Sequence, residues 1–130
     1  MRSAALTDIG RQRAINQDFI YRSDEAIGGF PSLYIVADGM GGHKAGDYAS
    51  RFCVECFLKE AKAGKYKTLL GGFESIINTV NEHVYQKSLS VPEYKGMGTT
   101  LVACTVDKNT VTVANVGDSR LYLLTEEQNF

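Results

Sequence analysis

The chain has 130 residues, of which 44% are hydrophobic and 22% charged, so its composition predicts one folded domain and excludes a largely disordered protein. Its 14 Lys and Arg residues against 15 Asp and Glu residues leave a formal net charge of -1, which excludes a strong overall attraction to nucleic acid or anionic membranes. No apolar run is long enough to span a membrane, and residues 1–8 lack the hydrophobic core of a signal peptide. We therefore expect a cytoplasmic protein that binds neither nucleic acid nor membrane.

The first third of the chain is predicted to contain three short strands, and a carboxylate directly follows the third. Residues 4–9 and 18–22 read as strands on either side of a polar link that contains two arginines. The apolar run at 33–37 is rich in strand-forming residues and predicts a buried strand. Asp38 follows it directly, so we expect this carboxylate at the exposed end of a buried strand.

Asp38 opens a glycine-rich loop with the sequence DGMGGH. Glycines allow sharp turns and let another group approach the main-chain oxygens closely. Carboxylate and carbonyl oxygens in such a loop suit a hard cation. Two alternatives remain open. A phosphate cradle is one, although the spacing matches neither the P-loop nor the dinucleotide fingerprint, and a strand-to-helix turn in which Asp38 caps the helix is the other.

Two amphipathic helices are predicted next. The first runs from about Ala45 to near Gly64, and the second carries an apolar face from Leu69 onward and fades before Pro92. Two successive helices between groups of strands favour an α+β fold, with the helices packed on a mostly antiparallel sheet. His83 lies near the edge of the second apolar stripe, where we expect a partly buried, hydrogen-bonded histidine rather than a metal ligand.

The three cysteines, Cys53, Cys56 and Cys104, lie in apolar surroundings and are odd in number, which argues against a disulfide framework. Cys53 and Cys56 form a C-x-x-C pair in the middle of the first predicted helix, away from the helix start that would activate a thiolate. We expect ordinary buried cysteines, with a redox or zinc site as the alternative.

The last third predicts three strands, at 99–106, 111–116 and 121–124. The break between the last two strands has the sequence GDSR and places a carboxylate, Asp118, beside a glycine at a strand end. This arrangement repeats the pattern seen at Asp38.

Three carboxylates, Asp18, Asp38 and Asp118, therefore lie at predicted strand ends. If the strands share a sheet, these side chains can meet at one edge, where they would repel one another unless a cation lay between them. Oxygen ligands without histidine or cysteine favour Mg²⁺ or Mn²⁺ over Zn²⁺. Arg13 lies nearby in sequence and can hold a phosphate oxygen, so the combination indicates phosphoryl chemistry.

Four stretches also carry a family resemblance. The chain resembles the metal-dependent protein phosphatases of the PP2C type, in their bacterial form, over nearly its whole length. The matching motifs occur in the family's order, and they are RAINQD at 13–18, VADGMGGH at 36–43, GTT at 98–100 and VGDSR at 116–120.

The resemblance implies an α-β-β-α sandwich of antiparallel sheets flanked by paired antiparallel helices. It also implies that a metal-activated water hydrolyses phosphoserine or phosphothreonine in proteins, without a covalent phosphoenzyme. Asp38 would bridge two Mg²⁺ or Mn²⁺ ions, Gly39 would offer its backbone carbonyl to one of them, and Asp18 would support that metal shell through water. Arg13 would bind the substrate phosphate, and Asp118 would help hold a third, weaker ion. The implied partners are a phosphorylated protein and a counteracting Ser/Thr kinase.

The chain departs from the family pattern at three places. Gln17 stands where many members have Glu, and Met40 follows the D-G pair where the eukaryotic branch has a histidine. His43 is displaced by three positions, and we assign it no catalytic role. Family catalytic domains are also longer, and the two further ligand aspartates of their second half, in D-G and D-N motifs, do not follow Arg120.

We therefore expect residues 1–130 to form a single partial domain, the N-terminal half of such a phosphatase. The alternative is a truncated, non-catalytic module that binds metal weakly and acts through protein association, including self-association through an exposed sheet edge. A nucleotide-binding domain built on the glycine loop is a third hypothesis, which the missing P-loop lysine disfavours.

Overall fold

A computed structural model describes residues 1–42 and 44–126. Both predicted helices are present, α1 (Ala45–Ala63) and α2 (Leu69–Ser88), and a short 3-10 helix (Pro92–Tyr94) follows them. The strands are β1 (Asp18–Ser23), β2 (Leu33–Met40), β3 (Gly98–Thr99), β4 (Leu101–Asp107) and β5 (Thr110–Val116).

The strands form one sheet in the order β1-β2-β4-β5, and β3 pairs with the far end of β2. Every pairing is antiparallel, as expected from the arrangement of helices and strands along the chain. In sequence the two helices lie between β2 and β3, which neighbour each other in the sheet. This α+β arrangement confirms the predicted fold class.

The helices cover one face of the sheet and enclose the core. Leu33 and Ile35 of β2 point into this core and are almost fully buried. Phe30, just before β2, stacks on Phe73 of α2 with ring centroids 4.9 Å apart. Burial of this apolar surface is the main favourable term in folding. Neither helix in the described part of the chain is long and apolar enough to cross a membrane.

The other face of the sheet is only partly covered. Val36, Val111 and Val113 lie on this face and remain 37–45% exposed. Residues 4–6 and 119–121 lie across parts of it, on either side of Val36. One helical layer and one sheet with an apolar second face correspond to half of a four-layer sandwich.

Two predicted strands are wrong. Residues 4–9 and 121–124 carry suitable apolar residues, but neither segment pairs with a strand in the described structure, and residues 4–6 and Leu121 lie against the sheet face instead. A strand needs a partner for its backbone hydrogen bonds, which local sequence does not supply. The prediction for His83 is also wrong, because this residue points to solvent from α2.

Candidate active site

Asp38 lies inside β2 rather than at its end. The strand continues through Gly39 to Met40, because partners on both sides extend it. On one side the Gly39 amide donates to the Gln17 carbonyl over 2.9 Å, and on the other side β3 pairs with Gly39 and Met40. Asp38 is therefore held by neighbouring segments on both sides, and the predicted strand end at Ala37 was three residues too early.

The helix-capping alternative for Asp38 is also wrong. The N-cap of α1 is Lys44, six residues later, and no side chain caps this helix. The first turn of α1 instead packs directly on the glycine loop, because an added Cβ on Gly39 would collide with the backbone carbonyl of Gly46. Glycine at 39 is therefore required for close approach of helix and strand.

Asp18 and Asp38 face each other across β1 and β2 as register partners. The pKa of the Asp18 carboxyl is raised, first by partial burial and then by the hydrogen bond and negative charge of Asp38, whereas the Arg13 guanidinium lowers it. The two neighbouring carboxylates repel each other when both are charged, and a cation between them would relieve this repulsion.

Arg13 lies beside this pair of carboxylates. A mainly polar pocket of about 230 Å³ is lined by Arg13, Asp18 and Asp38, together with Asp8 and residues of the link before β1. The structure thus brings together three of the sequence-predicted residues. Asp8 was missed by sequence reasoning, because it was assigned to a strand that does not form.

Asp118 is exposed and follows the end of β5. It does not line the polar pocket, but its neighbour Ser119 places its Oγ 2.7 Å from Thr100 Oγ1, and Thr100 Oγ1 accepts the Asp38 amide over 3.1 Å. Sequence reasoning missed Thr100 and Ser119 as functional candidates, although both lie in the family-like motifs. His43 lies outside the described residues.

The cysteines behave as predicted. Cys53 is buried in α1, and burial, followed by the nearby Cys56, raises the pKa of its thiol to about 12. Cys56 and Cys104 are half-buried, and burial is the main cause that raises the pKa of each. These thiols are protonated at neutral pH, which disfavours a redox or metal-thiolate role.

The ligand atoms at the pocket suit a hard cation but do not complete its coordination. Asp18 and Asp38 offer carboxylate oxygens at one point, and a cation suits their mutual repulsion. Within residues 1–42 and 44–126, no group of three His, Cys, Asp or Glu side chains is placed to hold a metal ion. Water, backbone oxygens or other groups would have to complete the coordination of any ion bound here.

Comparison with known proteins identifies the family. The family model described as protein phosphatase 2C matches residues 10–130. The serine/threonine phosphatase stp of Listeria welshimeri is 42% identical over 129 residues, covering 91% of this chain and 48% of the relative. Protein phosphatase PhpP of Streptococcus pneumoniae is 31% identical over 131 residues, and the match covers 98% of this chain and 52% of that relative. The chain spans about half the length of the curated relatives it matches.

Solved structures give the same result. Serine/threonine phosphatase Stp1 from Staphylococcus aureus superposes with a TM-score of 0.80 at 34% identity, covering 95% of this chain and 49% of that protein. The catalytic domain of the serine threonine protein phosphatase PstP, in complex with two manganese ions, superposes with a TM-score of 0.81 at 32% identity. The match covers 96% of this chain and 51% of that protein.

Proposed function

The chain belongs to the protein phosphatase 2C family, and on that basis we propose that it forms half of a metal-dependent protein serine/threonine phosphatase. The reaction is the hydrolysis of phosphoserine and phosphothreonine in a protein substrate. The observation that carries the proposal is the pairing of Asp18 with Asp38 beside Arg13 in one polar pocket. We propose that residues 1–130 act as a single partial domain.

We propose for the site residues the roles expected from the sequence. Asp38 and the Gly39 carbonyl would hold two Mn²⁺ or Mg²⁺ ions, Asp18 would support this metal shell through water, and Asp118 would contribute to a third ion. The ions, when bound, supply an activated water and offset the charge that develops on the phosphoryl oxygens. Arg13 orients the phosphate through its planar guanidinium group, which matches phosphate oxygens in a bidentate manner.

The manganese-containing structure of PstP supports a metal ion at this site, because it covers 96% of this chain with a TM-score of 0.81. The phosphatase relatives support a phosphoprotein substrate, and a counteracting Ser/Thr kinase follows from that substrate. We also propose that the protein is cytoplasmic.

A non-catalytic module is the second candidate function. The observation that favours it is that Asp8, Asp18 and Asp38 line the pocket, yet among the described residues no three His, Cys, Asp or Glu side chains are placed to hold a metal ion together. In this case the chain binds metal weakly and acts through association at the uncovered sheet.

Asp38→Ala tests the metal site that both candidates share. We expect wild-type protein to bind Mn²⁺ in isothermal titration calorimetry, and we expect the substitution to abolish binding because it removes the carboxylate shared by both ions. Asp107→Ala, at the far end of β4, is the matched control and should bind as the wild type does.

Hydrolysis of p-nitrophenyl phosphate and of a phosphothreonine peptide is then measured on the same proteins. Mn²⁺-dependent activity that Asp38→Ala abolishes would support the phosphatase. Mn²⁺ binding without activity would support the non-catalytic module. Equal Mn²⁺ binding by wild type and Asp38→Ala would contradict both assignments of the site.

A further inference from the structure

Thr100 interrupts the chain that pairs with β2. β3 and β4 are separated by this single residue, yet both keep the same register against β2. That register places Thr100 opposite Asp38, and the Thr100 amide donates to the Asp38 carbonyl over 2.9 Å. Thr100 is only 4% exposed, so its polar groups must find partners within the protein.

The hydroxyl group of Thr100 takes the place of a backbone acceptor in this pair. In a regular antiparallel pair the Asp38 amide would donate to the carbonyl of the opposite residue. Here it donates to Thr100 Oγ1 over 3.1 Å, while the Thr100 carbonyl accepts the Thr99 hydroxyl over 2.8 Å. The backbone amide of Asp38 therefore depends on the Thr100 side chain for its hydrogen bond.

The same side chain contacts the residues on both sides of Asp118. Thr100 Oγ1 lies 2.7 Å from Ser119 Oγ, and the Ser119 carbonyl in turn accepts the Asn115 side-chain amide over 2.9 Å. The Thr100 methyl group faces Gly117, where an added Cβ would come within 2.8 Å of Thr100 Cγ2. Gly117 also has φ +102°, a conformation that favours glycine.

We propose that Thr100 is a positioning residue that sets the Asp38 main chain and the Asp118 segment relative to each other. This inference rests on the proposed function, in which both aspartates bind metal ions. Residues that orient metal ligands without touching the metal typically contribute about 10- to 100-fold to affinity. The Thr100 hydroxyl contacts the Asp38 amide and Ser119 together, so its removal releases both segments.

The chain offers a matched control for this hydroxyl. Thr105 lies in β4, is fully buried, and its Oγ1 finds no hydrogen-bond partner among the described residues. Thr100→Val and Thr105→Val remove the same atom from buried positions in the segment that pairs with β2, but only the first removes hydrogen bonds. Thr100→Ser keeps the hydroxyl and loses the methyl group.

The first measurement is amide hydrogen exchange by NMR on metal-free protein. We expect Thr100→Val to accelerate exchange at Asp38 and at Ser119 together, while amides in the middle of α2 keep their wild-type rates. Thr100→Ser should restore slow exchange at Asp38, and Thr105→Val should leave both sites unchanged. Unchanged exchange at Asp38 and Ser119 in Thr100→Val would overturn the inference.

The second measurement is Mn²⁺ affinity by calorimetry. We expect Thr100→Val to weaken binding about tenfold and Thr100→Ser to stay within about twofold of the wild type. Full affinity in Thr100→Val would overturn the positioning role. Failure of the wild type itself to bind Mn²⁺ would contradict the proposed function, while the metal-free exchange would still decide whether Thr100 couples the two segments.

Ser119→Ala provides a second route if Thr100→Val fails to fold. Ser119 is half-buried, and its removal breaks the contact with Thr100 while leaving the Asp38 amide bonded to Thr100. We expect faster exchange around Asp118 only, together with weaker Mn²⁺ binding. Wild-type exchange around Asp118 and wild-type affinity in this variant would overturn the inference.

Discussion

At the scale of single residues, each carboxylate takes its character from its immediate neighbours. Asp18 has a raised pKa because it is partly buried and faces Asp38. Asp24 has a lowered pKa instead, because the Tyr34 hydroxyl donates a hydrogen bond to its Oδ1 over 2.6 Å. The Tyr34 hydrogen bond, followed by that of Ser3, lowers the pKa of Asp24. Repulsion by Asp38 marks Asp18 as a candidate for metal binding, whereas Asp24 already accepts a hydrogen bond from Tyr34 and lies 3.9 Å from the Arg22 guanidinium.

The Asp24 contact leads to a prediction about pH. Because the folded state favours ionised Asp24, its contribution to stability is present above the ordinary pKa of about 4 and is lost as the pH falls through the lower folded value. Tyr34→Phe should raise the pKa of Asp24 toward its ordinary value, as measured by NMR titration of the side-chain carboxyl. Tyr85→Phe, exposed on α2, is the control. An unchanged Asp24 titration in Tyr34→Phe would contradict the assigned cause.

At the scale of elements, the junction between β2 and α1 positions Asp38. The Gln17 carbonyl accepts the Gly39 amide, and the Gly46 carbonyl of α1 packs against Gly39. The link before β1, the glycine loop and the first turn of α1 therefore meet at one point, next to the pocket. This contact explains why the DGMGG sequence connects a strand directly to a helix without a side-chain cap.

A single methyl group should disrupt this junction. Gly39→Ala places a Cβ against backbone atoms that cannot move aside easily, so we expect a loss of about 3 kcal/mol in the free energy of unfolding. Gly42→Ala is the matched control, because an added Cβ there meets nothing within 4 Å and should change stability by less than about 0.5 kcal/mol. Urea unfolding in metal-free buffer measures both. Equal stability of the two variants would contradict the close packing of α1 on Gly39.

At the scale of the whole molecule, the sheet is asymmetric. One face is buried by α1 and α2, and the other carries exposed valines on β2 and β5. β5 is also an edge strand, and its seven residues, TVTVANV, contain no charge or proline that would discourage pairing with another strand. Together with a net charge of -1, these features favour association of the isolated chain.

The uncovered sheet face predicts that the chain associates with itself. One charge added on this face should weaken that association. Val113 lies near the middle of β5 on the uncovered face, so Val113→Lys should raise the apparent dissociation constant at least tenfold, about 1.4 kcal/mol. Leu70→Lys makes the same change at an exposed position of α2 and should have no effect. Sedimentation velocity measures all three proteins. A wild type that stays monomeric at its highest soluble concentration would contradict the prediction.

Much of the fold could be predicted from local patterns. The apolar period of α1 and the glycine after it predict a helix that ends near Gly64, and the structure has Ala45–Ala63 followed by a Gly64 C-cap. The alternation in β5 and the two helices between groups of strands predict an antiparallel α+β sheet. These features depend on residues close in sequence, so composition and spacing carry them.

The site was predicted only in part. Asp18, Asp38 and Arg13 are brought to one pocket, as the motifs indicate, while their metal-binding and phosphate-binding roles remain predictions. Thr100 and Ser119 were missed because their contacts join residues 62 and 19 positions apart, and nothing in a threonine or serine alone marks such a bond. Asp8 was missed because its segment was assigned to a strand.

The amino-acid sequence alone is sufficient to identify the helices, the central strands and the family, because each rests on local periodicity or on motifs in a fixed order. Only the tertiary structure decided that Asp38 lies within a strand, that residues 4–9 and 121–124 form no strand, and that Thr100 joins Asp38 to the Asp118 segment. The physical reason is that strand pairing and buried hydrogen bonds depend on partners distant in sequence, and folding chooses those partners for the whole chain at once.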